Sequence, residues 1–510
     1  MGKIIPVIIT QFDGGLSEDK RSGWVGGKDG FTTNRFGLTK HFDAFTYPHK
    51  LVPYNKTQAC DNEQKSYKIV KFLYANGKFY GLGEPTGAPT NRLQVYENSG
   101  FLVTDSWGTS TNGTGTTQNE NKDVFFSYYS KTDAKTYIYM LTGGVYLSRF
   151  DTSGGAFADS HLGLPYTTTQ TQAQPVHHPS DDCAYFFGDN IVYRLNDNAW
   201  DGGTGVVLTL PANIRIVSVC PHGNYLAIGC ITTDSYNTRS IAYLWDRDSS
   251  LATLTERIDF GLGILRHLAS LDNKLIAVID GQSENPPFRV YIKQASGYTA
   301  VILNELVGDA LNGHTPAMPA TNFVKDNVLY FPMGVKLNGD DRFGIWAVNS
   351  LGRVTLAIVE EDVTATQSIE GIYATNDIWW IAHSADGSVN RSSYSDNQYS
   401  ATSIYESLIF NGGDSSMKKK LVGASAMYEP LLVAGATVVL KYRKDEETAW
   451  TQIFSKTNDV GSVSHSAINI ESSGVNLPEY KEIQFRIEST GGTVITGLKL
   501  KVEMEDKDIY

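Results

Sequence analysis

Tight-turn dipeptides recur along this chain at a near-constant interval, and that interval constrains the fold more than any other feature. They are Asn76-Gly77, Thr132-Asp133, Ser180-Asp181, His222-Gly223, Asp272-Asn273, Asp326-Asn327 and Asn376-Asp377. Counted from Asn76, Asp133, Asp181, Gly223, Asp272, Asp326 and Asn376, the gaps are 57, 48, 42, 49, 54 and 50, with a mean of 50. A fixed period of this length marks a repeat architecture, in which each unit buries its faces against its neighbours.

The runs after these turns are apolar at every position, as in Leu275-Ile276-Ala277-Val278-Ile279, Val328-Leu329-Tyr330-Phe331 and Ile378-Trp379-Trp380-Ile381. Continuous apolarity over so few residues means a strand buried on both faces. A third strand with an aromatic residue follows (Tyr96, Tyr146, Tyr193, Tyr243, Tyr291, Trp346), then a polar turn. A fourth, more polar strand closes the unit, as at 353–360; the seventh unit departs, with 389–397 polar throughout. Four strands per fifty residues, seven times over, predict an all-β chain with a seven-bladed β-propeller across 66–410. Composition agrees: 48 glycines, 28 tyrosines and only 19% charged residues favour strands and turns over helices. The widest gap holds the low-complexity stretch 109–117, which reads as a connector or a contact loop.

The last hundred residues change pattern. Val438, Leu440 and Tyr442, then Ile483, Phe485 and Ile487, then Leu498, Leu500, Val502 and Met504 alternate with polar residues. Strict period two means one buried and one wet face, so 411–510 is expected to be a C-terminal β-sandwich. Asn411-Gly412-Gly413-Asp414-Ser415-Ser416 reads as a hinge before it. Residues 1–65 contain strand-like pieces, beginning with Ile4 to Thr10. They are expected to close the ring, pack on the sandwich or reach a neighbouring chain.

The formal charge is −12, of which −2 falls on 411–510 and −10 on the rest. That disfavours sequence-independent DNA binding. No apolar run approaches the roughly 20 residues of a membrane span. Four cysteines are too few for a disulfide scaffold. In a hairpin turning at Pro221-His222-Gly223-Asn224, Cys230 is expected opposite Arg215, roughly 17 Å along the strand from Cys220, so no bridge forms.

His177-His178 with Asp181-Asp182-Cys183 is the densest set of potential metal ligands. It also lies at a required turn bracketed by Pro175 and Pro179, so turn chemistry is the preferred reading, with no metal or cofactor. Ser384-Ala385-Asp386-Gly387 approximates a sialidase box without its spacer or tryptophan. Glu360-Glu361 and Glu446-Glu447 are adjacent pairs whose members point apart on a strand, so neither can flank one glycosidic bond. No catalytic, cofactor-binding or metal residue is assigned, and the chain is expected not to be an enzyme.

Ile8-Ile9-Thr10-Gln11-Phe12-Asp13-Gly14-Gly15-Leu16 resembles the F-x-G-G-L opening of many tailed-bacteriophage virion proteins. Lys420-Leu421-Val422-Gly423 through Met427-Tyr428-Glu429-Pro430 to Val439-Leu440-Lys441-Tyr442-Arg443 is similar to strands of phage tail sandwich domains. The resemblance implies a propeller-bearing nozzle or hub protein. Such a protein would be a non-enzymatic ring subunit of the virion tail, made in the host bacterial cytoplasm and contacting other virion proteins and copies of itself. A receptor- or glycan-binding protein and a propeller glycosidase or depolymerase are the alternatives.

Overall fold

The computed structural model describes residues 3–17, 20–27, 30–55, 57–59, 67–85, 94–98, 111–112, 121–142, 146–163, 173–233, 238–249, 254–280, 288–293, 301–306, 322–337, 340–358, 369–375, 378–383, 389–393, 402–458, 467–470 and 477–504. Their elements are β-strands, with one short 3-10 turn at Asp201–Gly203.

Between 67 and 393 the strands form seven antiparallel sheets in chain order. Sheet 1 covers 67–112, sheet 2 121–163, sheet 3 176–209, sheet 4 214–262, sheet 5 264–306, sheet 6 323–358 and sheet 7 369–393. The repeated turns close the first hairpin of sheets 1 to 6. Asn76 with Gly77, Asp272 with Asn273 and Asp326 with Asn327 have positive φ at both central positions. That is the geometry matching the twist of a two-residue hairpin, and Asn, Asp and Gly tolerate it best. Asn376-Asp377 lies outside the described residues. So does the low-complexity stretch, apart from Thr111–Asn112, the outer strand of sheet 1.

The second strands are apolar all round because each feeds two cores. Leu275, Ala277 and Ile279 join the cluster between sheets 4 and 5, while Ile276 and Val278 join the one between sheets 5 and 6. Similar clusters lie between sheets 1 and 2, 2 and 3, 3 and 4, and 6 and 7. Sheet 7 meets sheet 1 through Trp380, stacked on Phe79 at 4.6 Å. Large apolar side chains buried this way contribute roughly 1.5–3 kcal/mol each, so the gaps between sheets hold the array together.

A β-bulge recurs in the first hairpin, between Ile69 and Lys71, Ile216 and Ser218, Leu265 and His267, and Ile369 and Gly371. It re-aims the next residue, which is how Lys71, Ser218 and His267 come to be buried. Ser218 Oγ accepts a hydrogen bond from the Leu268 amide of the next sheet at 2.9 Å. The hairpin turns tightly at Gly223-Asn224 rather than over four residues, and this turn together with the bulge sets Cys230 opposite Ile216 instead of Arg215. Cys183, Cys220 and Cys230 are free thiols.

Residues from both chain ends build two further sheets over one core. Sheet 8 runs Val25–Gly27, Gly30–Thr32, Lys3–Ile9, Ile495–Met504, Lys419–Tyr428 and Ala467–Ile470, with Glu479–Tyr480 also on Lys419–Tyr428. Sheet 9 runs Thr451–Thr457, Thr437–Lys444, Ile483–Ser489, Ser403–Glu406 and Leu38–Lys40. Val7, Ile9, Leu498, Leu500 and Val502 face Val438, Leu440, Phe485 and Ile487 in a shared cluster.

Strand pairing runs across the expected divisions at 65 and 411. Lys3–Ile9 pairs along its whole length with Ile495–Met504 of its own chain. Thr57–Ala59 supplies the outer strand of sheet 7, in the place that a fourth strand of the unit takes in the other sheets. Ser403–Glu406 belongs to sheet 9, not to the repeats. The expected hinge is a turn inside the terminal unit: Phe410 pairs with Ile483, and the Asn411 and Asp414 carboxamide and carboxylate oxygens accept from Gly413 and Ser416. The fourth strand of sheet 6, Val354–Ile358, is buried throughout rather than polar, because the segment carrying Leu16 and Leu38–Lys40 covers it.

Candidate functional site

The His177–Cys183 cluster sits where sheets 2, 3 and 4 meet at the rim of the first hairpin turns. His177 and Asp182 flank the turn of sheet 3, and His177 Nε2 lies 2.7 Å from Asp182 Oδ1. The other Asp182 oxygen pairs with Lys131 of sheet 2. Tyr128 of sheet 2 donates to the Asp182 carbonyl at 2.5 Å and accepts from the Asp197 amide at 3.3 Å. Asp197 in turn accepts from the Lys131 amide at 2.7 Å. Asp181 accepts from Tyr185 and pairs with Arg247 of sheet 4 at 3.1 Å. Arg194 pairs with Asp201.

The neighbouring groups are equally occupied. His178 is fully buried; its Nδ1 accepts from the Ser180 amide at 3.3 Å while Nε2 faces the Tyr225 carbonyl of sheet 4 at 3.1 Å. That geometry fixes the neutral tautomer with the proton on Nε2, and burial lowers its pKa. Cys183 donates to the Asp181 carbonyl at 3.4 Å, and burial pushes its thiol up to about 11. A thiol so high is not a nucleophile at neutral pH. The Lys131 and His177 contacts hold Asp182 below the usual carboxylate range, and hydrogen bonds from Asn198 and Tyr137 do the same for Asp133. Among the described residues no group of three or more His, Cys, Asp or Glu converges as metal ligands. The arrangement staples three sheets together.

Sequence reasoning found the turn of this cluster but not its partners. Tyr128, Lys131, Asp197, Arg194 and Arg247 come from hairpins up to about one repeat away, and only alignment of the repeats by register would have shown that they meet. Glu446 and Glu447 sit exposed in a turn after Thr437–Lys444. Ser384 to Gly387 and Glu360-Glu361 lie outside the described residues.

A second site is the Phe12–Leu16 segment, which joins the terminal unit to sheet 6. Phe12 is fully buried, with its ring edge-on to Tyr405 at 5.3 Å. The Gly14 amide donates to the Asn34 carbonyl at 3.0 Å and the Leu16 amide to the Val354 carbonyl of sheet 6 at 2.9 Å. Gly15 has φ +72, and a Cβ there would lie 3.0 Å from both Arg353 Cβ and Val354 O; one on Gly14 would lie 2.5 Å from Asn34 Oδ1. Both glycines are therefore required by close backbone approach, and at Gly15 also by conformation. Thr39 and Thr355 hydroxyls share a 2.5 Å hydrogen bond beside them.

No family matches the chain and no curated protein does. Among solved structures it is similar to a puromycin-hydrolyzing peptidase of Mycobacterium tuberculosis, at 12% identity and TM-score 0.41, over 66% of this chain and 56% of that one. The chain thus spans little more than half of that peptidase. It is similar to the β-propeller domain of the Trilobed protease from Pyrococcus furiosus, at 9% identity and TM-score 0.38, over 65% of this chain and 94% of that one. A glycoside hydrolase is similar at 13% identity and TM-score 0.27, over 85% and 97%. Likenesses this distant do not carry an activity across.

Proposed function

We propose that the seven sheets are the blades of one seven-bladed β-propeller, that sheets 8 and 9 form a β-sandwich locked to the sixth blade, and that the protein is a non-enzymatic structural subunit of a tailed-bacteriophage particle, placed as a symmetric ring in the tail. The observation that carries this reading is the role of Phe12–Leu16. The residues that resemble a phage virion opening are the ones whose burial and close backbone approach fix one unit against the other. A subunit that transmits load between neighbours needs such a rigid joint. The rim cluster supports the same reading, because Asp181, Asp182 and His178 are engaged in bonds between sheets, and His177 and the thiol in bonds within the turn.

Mass spectrometry of purified particles made by the genome encoding this chain tests the proposal. The protein is expected in fixed stoichiometry with the other tail proteins. Its absence from the particles overturns the virion role. Release of reducing sugar from bacterial surface polysaccharide by the purified protein overturns the non-enzymatic one.

A further inference from the structure

We propose that the rim of the first strands in sheets 1, 2 and 3 is a binding surface for a neutral saccharide. Each of the seven sheets places the penultimate residue of its first strand at an equivalent rim position. In sheets 4, 5 and 6 these residues are Pro221, Ser270 and Val324. In sheets 7, 1, 2 and 3 they are Tyr373, Tyr74, Tyr129 and His177. The aromatic positions are thus consecutive around the array and confined to one part of it.

These four rings divide into support and surface. Tyr373 packs against Phe79 at 5.3 Å and Phe323 at 4.8 Å, and its hydroxyl accepts from the Tyr74 backbone. Tyr74 and Tyr129 instead remain 40% and 52% exposed. Tyr74 rests on Phe79 at 6.1 Å. Tyr128 holds the His177 ring at 5.7 Å, and Tyr129, next along the strand, projects from the opposite face, toward sheet 1. All the rings stand on strands rather than on long loops, so they are pre-oriented.

The polar groups beside the rings decide the ligand class. Lys131 and His177 both contact the Asp182 carboxylate, and Asp133 is engaged by Tyr137, Asn198 and Arg149. Their outer edges stay accessible: the side chains of Lys131, Asp182 and His177 are 71%, 41% and 39% exposed. Exposed aromatic faces bordered by charges already paired, Lys131 with Asp182 and Arg149 with Asp133, offer little to a phosphate or carboxylate. They suit a ligand with an apolar C–H face for stacking and a ring of hydroxyls for the edges, which is a neutral pyranose. The Leu16 amide bonds to sheet 6, which is not one of the three sheets that carry this surface.

Saturation-transfer NMR with maltohexaose, cellohexaose and mannohexaose, and with a sialylated oligosaccharide as the charged control, tests the proposal on the intact chain. At least one neutral hexasaccharide is expected to bind. Tyr74→Ala and Tyr129→Ala should each weaken that binding about tenfold, the equivalent of losing one stacking contact, with the thermal midpoint unchanged. Tyr129→Phe should retain it, because the ring face is preserved. Absence of saturation transfer to all three neutral probes, undiminished binding in the double Ala variant, or tighter binding of the sialylated control would overturn the assignment.

Discussion

At the scale of single residues, the sequence is most informative where one side chain must satisfy two neighbours. Trp379 and Trp380 are 3% and 0% exposed, on opposite faces of one strand, and their unbroken apolar run gave that away. Trp380→Ala should cost about 3–5 kcal/mol, as other large aromatic truncations do, measured by denaturant unfolding; an unchanged midpoint would contradict the packing against Phe79. Gly15→Ala should destabilise by about 1–2 kcal/mol from its left-handed backbone alone, checked the same way. Histidines carry the pH dependence. Burial lowers the pKa of His178, and burial also leads the lowering at His161 and His222. The neutral form is favoured in the folded state, so the stability they contribute is full above the unfolded value of about 6.5 and is lost as pH falls through it. Denaturation midpoints should therefore drop between pH 7.5 and 5, and less so in His178→Gln; a flat profile would contradict this account. The buried Lys71 and His267 were not legible, because a bulge leaves no mark in a hydrophobic pattern.

At the scale of elements, turn chemistry and alternation were legible, but partners were not. Lys3–Ile9 announces itself as a strand, yet nothing in it specifies Ile495–Met504 across the length of the chain. Alternation says which face is wet, not whose edge is met. The three-residue strand Thr57–Ala59 carries no pattern at all, although it completes sheet 7. Removing residues 1–10 takes Val7 and Ile9 out of the shared core. It should therefore unfold the terminal unit, seen as protease sensitivity within 403–504, rather than merely impair contact with a neighbour. A truncated protein as resistant as the full chain would show that sheet 8 does not need its N-terminal strand.

At the scale of the whole molecule, the fifty-residue interval was enough to anticipate seven sheets, because each turn marks one hairpin. It could not anticipate that both ends of the chain return to a single unit, nor that this unit is pinned to sheet 6 by Phe12–Leu16. The proposed role rests, on the side of the sequence, only on that short segment and on what charge disfavours. With −12 over 510 residues, the purified protein should not retard duplex DNA at physiological salt; salt-sensitive micromolar binding would reveal a basic surface that the net charge conceals. The central claim is that a rigid propeller and sandwich serve as a repeated tail part. Cryo-electron microscopy of purified particles tests it most directly. The account predicts a symmetric ring in the tail whose subunits show seven four-stranded blades, the last closed by Thr57–Ala59, with a two-sheet sandwich fixed on the sixth. Particles whose tails contain no such ring, or subunits with six or eight blades, would contradict it.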